Sequence, residues 1–313
     1  GPAFAAGNTV VLKPAEQTPL SALASAEIFQ EAGLPDGALQ VITGSGSELS
    51  DALLMDERVK KITFTGSASV GKLIKQKAGL RKVTLELGSN AALIVEPDVV
   101  LDKVIPRCVE GAFSYAGQVC ISLQRIYVHE TIYVEFCKRF IERAKQLKVG
   151  DPLDENTDVS TMIHRREAER IESWVEEAIQ SGAKIGLGGI RNGSIYSPTV
   201  LLDVKKDMAV SCQEVFAPVV SIVPYRELQE AIEMVNDSVY GLNIGIYTTN
   251  IHRALYAARK IESGAVIIND IPTFRVDHMP YGGVKESSYG REGVKYAVQE
   301  MTELKFVSIK TDF

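Results

Sequence analysis

The chain is poor in the residues that staple, ligate or span. Only four cysteines occur in 313 residues, at positions 108, 120, 137 and 212. They lie far apart with no Cys-x-x-Cys pair, which argues against a disulfide framework or a cysteine metal site and fits a reducing, cytoplasmic compartment. The four histidines include no pair at metal-ligand spacing, so no metal is expected. No apolar run approaches the roughly 18 residues of a membrane span, and no secretory signal opens the chain, so no membrane partner is expected. An excess of basic charge is missing too. Thirty-four Lys and Arg against 40 Asp and Glu leave a net charge of −6 with the basic residues scattered, which argues against nucleic acid as a partner. Internal repeats and low-complexity segments are lacking. So is a start methionine: Gly1-Pro2-Ala3-Phe4 leads into Val10-Val11-Leu12, and the chain reads as entered in mid-domain.

What is present is an ordinary globular composition, 45% hydrophobic and 24% charged, long enough for two domains. Short β-branched apolar runs predict strands at 9–12, 39–42, 61–64, 82–85, 91–95, 124–128, 219–223, 242–247 and 265–268. Between them, amphipathic stretches predict helices. The first is capped by Thr18-Pro19, carries an apolar stripe of Leu20, Leu23, Ala24, Ile28 and Phe29, and stops at Gly33. The others cover 47–55, 67–78, 101–115, 132–147, 165–180, 228–236 and 251–261. Strand and helix alternating at this pace predict an α/β fold with parallel sheets. Residues 150–160 read as a surface loop. Residues 305–309 alternate and read as an edge or intersubunit strand.

Four places invite chemistry. Gly117-Gln118-Val119-Cys120 sets a lone cysteine after an apolar helical run, where a tight turn can lower a thiol pKa and make a nucleophile; the alternative is a small buried thiol. Gly66 and Gly71 with Lys72 nearly make a P-loop, but Leu73 stands where a magnesium-binding Ser or Thr is needed. A strand–turn–helix unit that favours an anion such as pyrophosphate remains, or simply a turn that needs glycine. Glu86 ends a strand, and carboxyl ends of parallel strands collect chemistry, so it suits a general base for water; it also suits a capping or ion-paired glutamate. Glu214, followed closely by Phe216, can hold a ribose and a flat ring, or can be a plain loop carboxylate. His278 is the one histidine in a site-like loop. Paired with Cys120 it would make a thiol hydrolase or acyl-transferase.

Taken together, these residues resemble the aldehyde dehydrogenase superfamily along the whole chain. The matching pieces run in order from Gly1 to Asn8, Lys13 to Pro19, Phe64 to Ser67, Glu86-Leu87-Gly88, Gly117 to Cys120, Glu214 to Pro218, and Pro280 to Lys285. Leu87 to Ala91 and Arg275 to His278 look most like the microbial branch that acts on small polar aldehydes such as lactaldehyde, glycolaldehyde, phosphonoacetaldehyde and glyceraldehyde phosphate. The resemblance implies a Rossmann-type NAD-binding portion in residues 1–88, incomplete at its start. An α/β catalytic domain follows in 89–285, and 286–313 return to the nucleotide domain and end in an intersubunit strand.

By the same resemblance, Cys120 is the nucleophile, Glu86 the base that activates hydrolytic water, and Glu292 a second carboxylate relaying protons. Lys13 and Glu16 lie at the adenosine ribose, Ser67 at the pyrophosphate, and Glu214 at the nicotinamide ribose with Phe216 beside it; Gly66 and Leu87 also belong to the cofactor site. Glu16 favours NAD over NADP, because a carboxylate repels a 2′-phosphate. Arg275 would select an anionic or polyhydroxylated aldehyde; the alternative is a surface arginine. A homo-dimer or homo-tetramer is implied. The family also places an oxyanion-holding Asn upstream of Gly1, so the 313 residues read as the C-terminal part of a chain roughly half as long again. Alone they are expected to be impaired, since one oxyanion donor is worth about 10²–10³ in turnover. A catalytically silent assembly fragment is the further alternative.

Overall fold

The computed structural model describes residues 1–311. Its largest feature is a seven-stranded sheet. The strand order is Ala265–Ile268, Asn243–Tyr247, Ala92–Val95, Arg125–His129, Val219–Tyr225, Thr199–Leu202 and Lys184–Leu187. All neighbours are parallel except the last pair, which is antiparallel. The central strand Ala92–Val95 is covered on both faces, so it reads as an unbroken apolar run rather than an alternating one. Ala92, Leu93, Ile94 and Val95 are all fully buried. Leu93 and Val95 pack with Phe113, Phe136 and Phe140 from helices Leu101–Phe113 and Glu130–Ala144. Ala92 and Ile94 face Ile232, Val235 and Ala257 from helices Leu228–Asn236 and Ile251–Lys260. Each large aliphatic side chain buried this way is worth about 1.5–3 kcal/mol.

Before this sheet come two smaller ones. Val10–Leu12 pairs in parallel with Leu39–Val41, and Lys61–Thr65 pairs in parallel with Lys82–Glu86. Ser288–Tyr289 joins the second from the far end of the sequence, antiparallel to Lys82–Glu86. Lys82 Nζ donates to the Thr302 carbonyl at 2.6 Å and Asn8 Nδ2 to Met301 at 2.9 Å, which ties the end of the chain back to its start.

Most predicted elements form within a residue or two of their expected bounds. Three differences have physical causes. The apolar stripe of helix Leu20–Glu31 stays largely exposed at Leu20 and Ile28, because Phe4 and strand Leu39–Val41 cover only part of it. Residues 305–309 form no strand; Phe306 and Ile309 stand out in solvent, since a strand needs a partner and this stretch meets none among the described residues. Lys184–Leu187 and Thr199–Leu202 are strands with no clear periodic signal. Gly186 interrupts the first because a Cβ there would come within 2.9 Å of Ile141. No helix among the described residues is long and apolar enough to cross a membrane.

Candidate active site

The Cys120 loop begins where helix Leu101–Phe113 stops, two residues earlier than its apolar pattern predicts. Tyr115 and Ala116 take φ of 53°, and Gly117 follows at 67°. Three left-handed residues in a row cannot continue a helix, and each non-glycine one costs about 1–2 kcal/mol. The strain is held by contacts on both sides of the loop. Gly117 sits on the backbone of Ala217, so closely that a Cβ would lie 2.1 Å from that carbonyl oxygen. Gln118 Oε1 accepts from the Ile163 amide at 2.8 Å, while its own amide donates to Tyr115. Val119, Cys120 and Ile121 then pack with Leu242, Met279 and Tyr281.

Glu86 reaches the same place from the other sheet. It is the last residue of strand Lys82–Glu86 and only 5% exposed, yet neither carboxylate oxygen has a hydrogen-bond partner. An ionised carboxylate in that position is poorly solvated, and the charge of Glu292 adds repulsion. Arg291 and Arg275 offset part of this, and the pKa still rises to about 8. The chain then crosses from Leu87 to Asn90 into the large sheet. Ser287 fixes the crossing: its hydroxyl donates to Gly88 at 2.8 Å and accepts from Gly241, and its carbonyl accepts from Leu87 at 2.8 Å.

A returning loop supplies Arg275, Tyr281 and Glu292. The Tyr281 hydroxyl lies 3.1 Å from Cys120 Sγ. Tyr281 and Glu292 exchange backbone hydrogen bonds at 3.0 and 2.7 Å. The Arg275 guanidinium stacks over the Tyr281 ring at 4.2 Å and reaches Glu292 at 3.6 Å. Cys120, Glu86, Glu292 and Arg275, far apart in sequence, are thus brought together. Tyr281 is the member that sequence reasoning missed, although it stands inside the Pro280-Tyr281-Gly282-Gly283 motif. His278 is exposed, and the thiol's side-chain partner among the described residues is Tyr281, so no Cys120–His278 dyad forms.

The thiol itself departs from expectation. Burial raises its pKa first, and the charges of Glu86 and Glu214 raise it further. The Tyr281 hydroxyl and the Cys120 amide work in the opposite direction without prevailing. A tight turn therefore does not suffice to lower this pKa; burial and the two carboxylates decide its sign. Glu214 accepts from the Ser89 amide at 2.9 Å and lies over Gly88, where a Cβ would come within 2.6 Å of its Oε2. Gln124 holds both walls, donating to the Ser89 carbonyl at 3.3 Å and accepting from the Val215 amide at 3.0 Å. The Asn90 side chain is spent on Ser211, Arg125 and Ser238 and is not free for catalytic use.

Beside the smaller sheets, Lys13 and Glu16 flank the start of helix Gly46–Met55, where Glu16 accepts from the Gly46 amide. Pro14, Glu16, Pro19, Gly44 and Ser45 line a cleft of ≈ 240 Å³ beside it. Ser67 caps helix Ala68–Lys77, accepting from the Val70 amide at 3.4 Å. The glycines of the near-P-loop have packing reasons. A Cβ on Gly66 would strike the Phe64 ring at 2.4 Å, and one on Gly71 would strike Leu87 at 2.4 Å. The Leu87 side chain is accordingly buried in the core between helix and strand, so any contact with a cofactor would come from its backbone. Phe216 is 36% exposed with φ of 47°, two residues beyond Glu214.

The site lies where two sheets meet end to end. Glu86 and Ser67 follow the carboxyl ends of the smaller sheet, as expected of parallel strands. Cys120, Ser89 and Glu214 instead precede strands Arg125–His129, Ala92–Val95 and Val219–Tyr225, at the amino ends of the larger sheet. The carboxyl-end rule thus finds half of the site.

A model of the aldehyde dehydrogenase family matches residues 1–307. The 3-sulfolactaldehyde dehydrogenase of Priestia aryabhattai is 55% identical over 307 residues, which make up 98% of this chain and 64% of that protein. The structure of a glyceraldehyde-3-phosphate dehydrogenase from Methanocaldococcus jannaschii, complexed with NADP, superposes with a TM-score of 0.94 at 43% identity, over 97% of this chain and 67% of that one. Aldehyde dehydrogenase 21 from Physcomitrella patens, in complex with its reaction product succinate, gives 0.93 at 44% identity, over 96% of this chain and 63% of that one.

Proposed function

Because the chain belongs to the aldehyde dehydrogenase family, we propose that it serves the oxidation of a small anionic aldehyde to the corresponding acid, with a nicotinamide dinucleotide as acceptor. The observation that carries this reading is the convergence of a half-buried thiol and a buried, unpartnered carboxylate, Cys120 and Glu86, from two different sheets. The Cys120 sulfur adds to the carbonyl carbon, and the carbonyl π pair moves to oxygen. A bound nicotinamide dinucleotide, which Glu214 and Ser67 would hold, would supply the hydride acceptor as the oxygen's electron pair re-forms the carbonyl on the Cys120-bound carbon. The thioester left on Cys120 is cleaved by water whose proton passes to Glu86; the C–S bond breaks, its electron pair returns to sulfur, and the acid leaves. Coenzyme A has no part in this scheme, since the buried carboxylate favours water as acyl acceptor.

The residues fit such a cofactor. Glu214 has one oxygen fixed by the Ser89 amide, which leaves the other for a ribose hydroxyl. Ser67 heads a helix whose amides suit pyrophosphate. Glu16 lines a cleft of ≈ 240 Å³ that could take an adenosine, and Lys13 stands beside Gly46 at its edge. We read the cofactor as NAD. The Glu16 carboxylate already occupies the amino end of helix Gly46–Met55, where a 2′-phosphate would otherwise be welcome. The relative from Methanocaldococcus jannaschii is complexed with NADP, so both dinucleotides belong in the assay.

The anionic substrate rests on Arg275, which keeps donors free beyond its contact with Glu292, 3.6 Å away. The three relatives above carry a sulfonate, a phosphate or a carboxylate in the substrate or product of their names. The chain spans 64% of the first of them, so the activity of the whole relatives is the hypothesis and aldehyde-dependent formation of reduced dinucleotide is its test. Cys120→Ser should abolish it, together with any covalent acyl adduct at position 120 seen by mass spectrometry. A Cys120→Ser chain that turned over at the parent rate would end the proposal. Arg275→Ala should raise KM for an anionic aldehyde by roughly tenfold or more, the worth of one charge-assisted hydrogen bond. An equal rise with acetaldehyde would remove Arg275 from substrate selection.

A further inference from the structure

We propose that Tyr281 is a catalytic hydrogen-bond donor that holds the Cys120 thiolate ready for attack. The inference rests on the reading of Cys120 as nucleophile and assigns the side chain that makes a thiolate tolerable at this position.

The geometry is specific. The phenol oxygen is 3.1 Å from Sγ, well inside the range for a sulfur hydrogen bond. Tyr281 is buried, and its backbone is locked to Glu292 by two hydrogen bonds, so the hydroxyl is aimed rather than free. Arg275 lies over the ring at 4.2 Å, and a cation on the ring face makes the hydroxyl a stronger donor. Tyr281 itself keeps its proton. Burial, and then the neighbouring thiol and Glu86, push its pKa above the ordinary tyrosine range. When Cys120 ionises, its proton leaves to solvent, and the Tyr281 O–H turns to the sulfur without transferring its own.

The need for such a donor follows from what surrounds the thiol. Glu86 and Glu214 both oppose the thiolate; Arg275 lies over the Tyr281 ring, and its distance to Glu292 is 3.6 Å. No His, Lys or Arg side chain among the described residues hydrogen-bonds Sγ. Apart from the Cys120 amide, the favourable contact with the sulfur is the Tyr281 hydroxyl.

The test needs neither aldehyde nor dinucleotide, so it can fail while the proposed oxidation stands, and the reverse. The rate of iodoacetamide alkylation of Cys120 is followed against pH by peptide mass spectrometry. Exposed Cys212 in the same digest is the internal reference. Chains with and without Tyr281→Phe are compared in the Glu86→Gln background, which removes the titration of Glu86. Tyr281→Phe should raise the alkylation midpoint of Cys120 by about one to two pH units, the worth of a hydrogen bond to a charged group. The Cys212 midpoint should not move. Near-UV circular dichroism reports whether the Tyr281→Phe chain keeps its fold. Should it not, 3-fluorotyrosine at position 281 keeps the ring and makes a stronger donor, and it should lower the midpoint. An unchanged Cys120 midpoint in a folded Tyr281→Phe chain, or in the fluorotyrosine chain, overturns the proposal and leaves Tyr281 as packing alone.

Discussion

Glu86→Gln should release one equivalent of reduced dinucleotide per Cys120 and then stall, with steady-state turnover lower by about 10²–10⁴, the usual worth of a general base. Glutamine fills the same space but cannot accept a proton from water, so the acyl group stays on sulfur. The parent should show its hydrolytic step rising with pH through about 8, where Glu86 loses its proton. The substitution has a second, independent signature. A carboxyl whose folded pKa is raised from 4.5 to about 8 favours folding when protonated. That stability is fully present below pH 4.5 and is lost as pH rises through 8. The Glu86→Gln chain has no such charge to bury. Its melting temperature should sit close to the parent's at pH 4.5 and exceed it by several degrees at pH 9, a gain on the order of a few kcal/mol. Parallel melting curves at both pH values would show that Glu86 is not the strained, desolvated group described above. Undiminished turnover would show that it is not the base.

Gly117→Ala is expected to cost both stability and activity. At φ of 67° an alanine is strained by about 1–2 kcal/mol. Its Cβ would also lie 2.1 Å from the Ala217 carbonyl oxygen and 2.5 Å from the carbonyl carbon, and neither atom is the end of a flexible side chain. The Cys120 loop and the Glu214–Pro218 loop must therefore part, which adds about 1–3 kcal/mol. Sγ then moves away from Tyr281 and from the line of attack. A displacement of about 1 Å in a reacting group costs about 10² in rate. Gly79→Ala is the control. Gly79 has φ of 61° and open space where its Cβ would go, so it reports the backbone strain without the clash. Equal losses from the two alanines, in melting temperature or in alkylation rate of Cys120, would mean that the contact with Ala217 does not position the thiol.

Much of the fold could be read from residue order. The short apolar runs of the large sheet are legible, so Ala265–Ile268 and Asn243–Tyr247 appear where their pattern puts them. The 16-residue helix Arg165–Gln180 does too, because one face meets the core and the other is charged. Lys184–Leu187 was not legible. Its glycine answers to Ile141, more than forty positions away, and no local pattern carries that requirement. Residues 305–309, read as an edge or intersubunit strand, pair with no strand among the described residues. Their alternation is real, but pairing is a property of two strands, and the second is not among the described residues.

The site divides along the same line. Sequence alone determined which residue types stand where: a cysteine after Gly-Gln-Val, a glutamate ending a strand, a serine heading a helix, a glutamate two residues before a phenylalanine. Those identities fix the chemistry each side chain can perform, because nucleophilicity and basicity begin with the functional group. Tertiary structure decided which of them act together and in which protonation state. It set Tyr281 rather than His278 on the thiol, turned Leu87 into the core, and raised both the thiol and Glu86 where a turn alone would have lowered the first. The reason is that proximity and solvation are properties of position in space. A chain that crosses from the carboxyl end of one sheet to the amino ends of another brings together charges that no spacing along the sequence predicts.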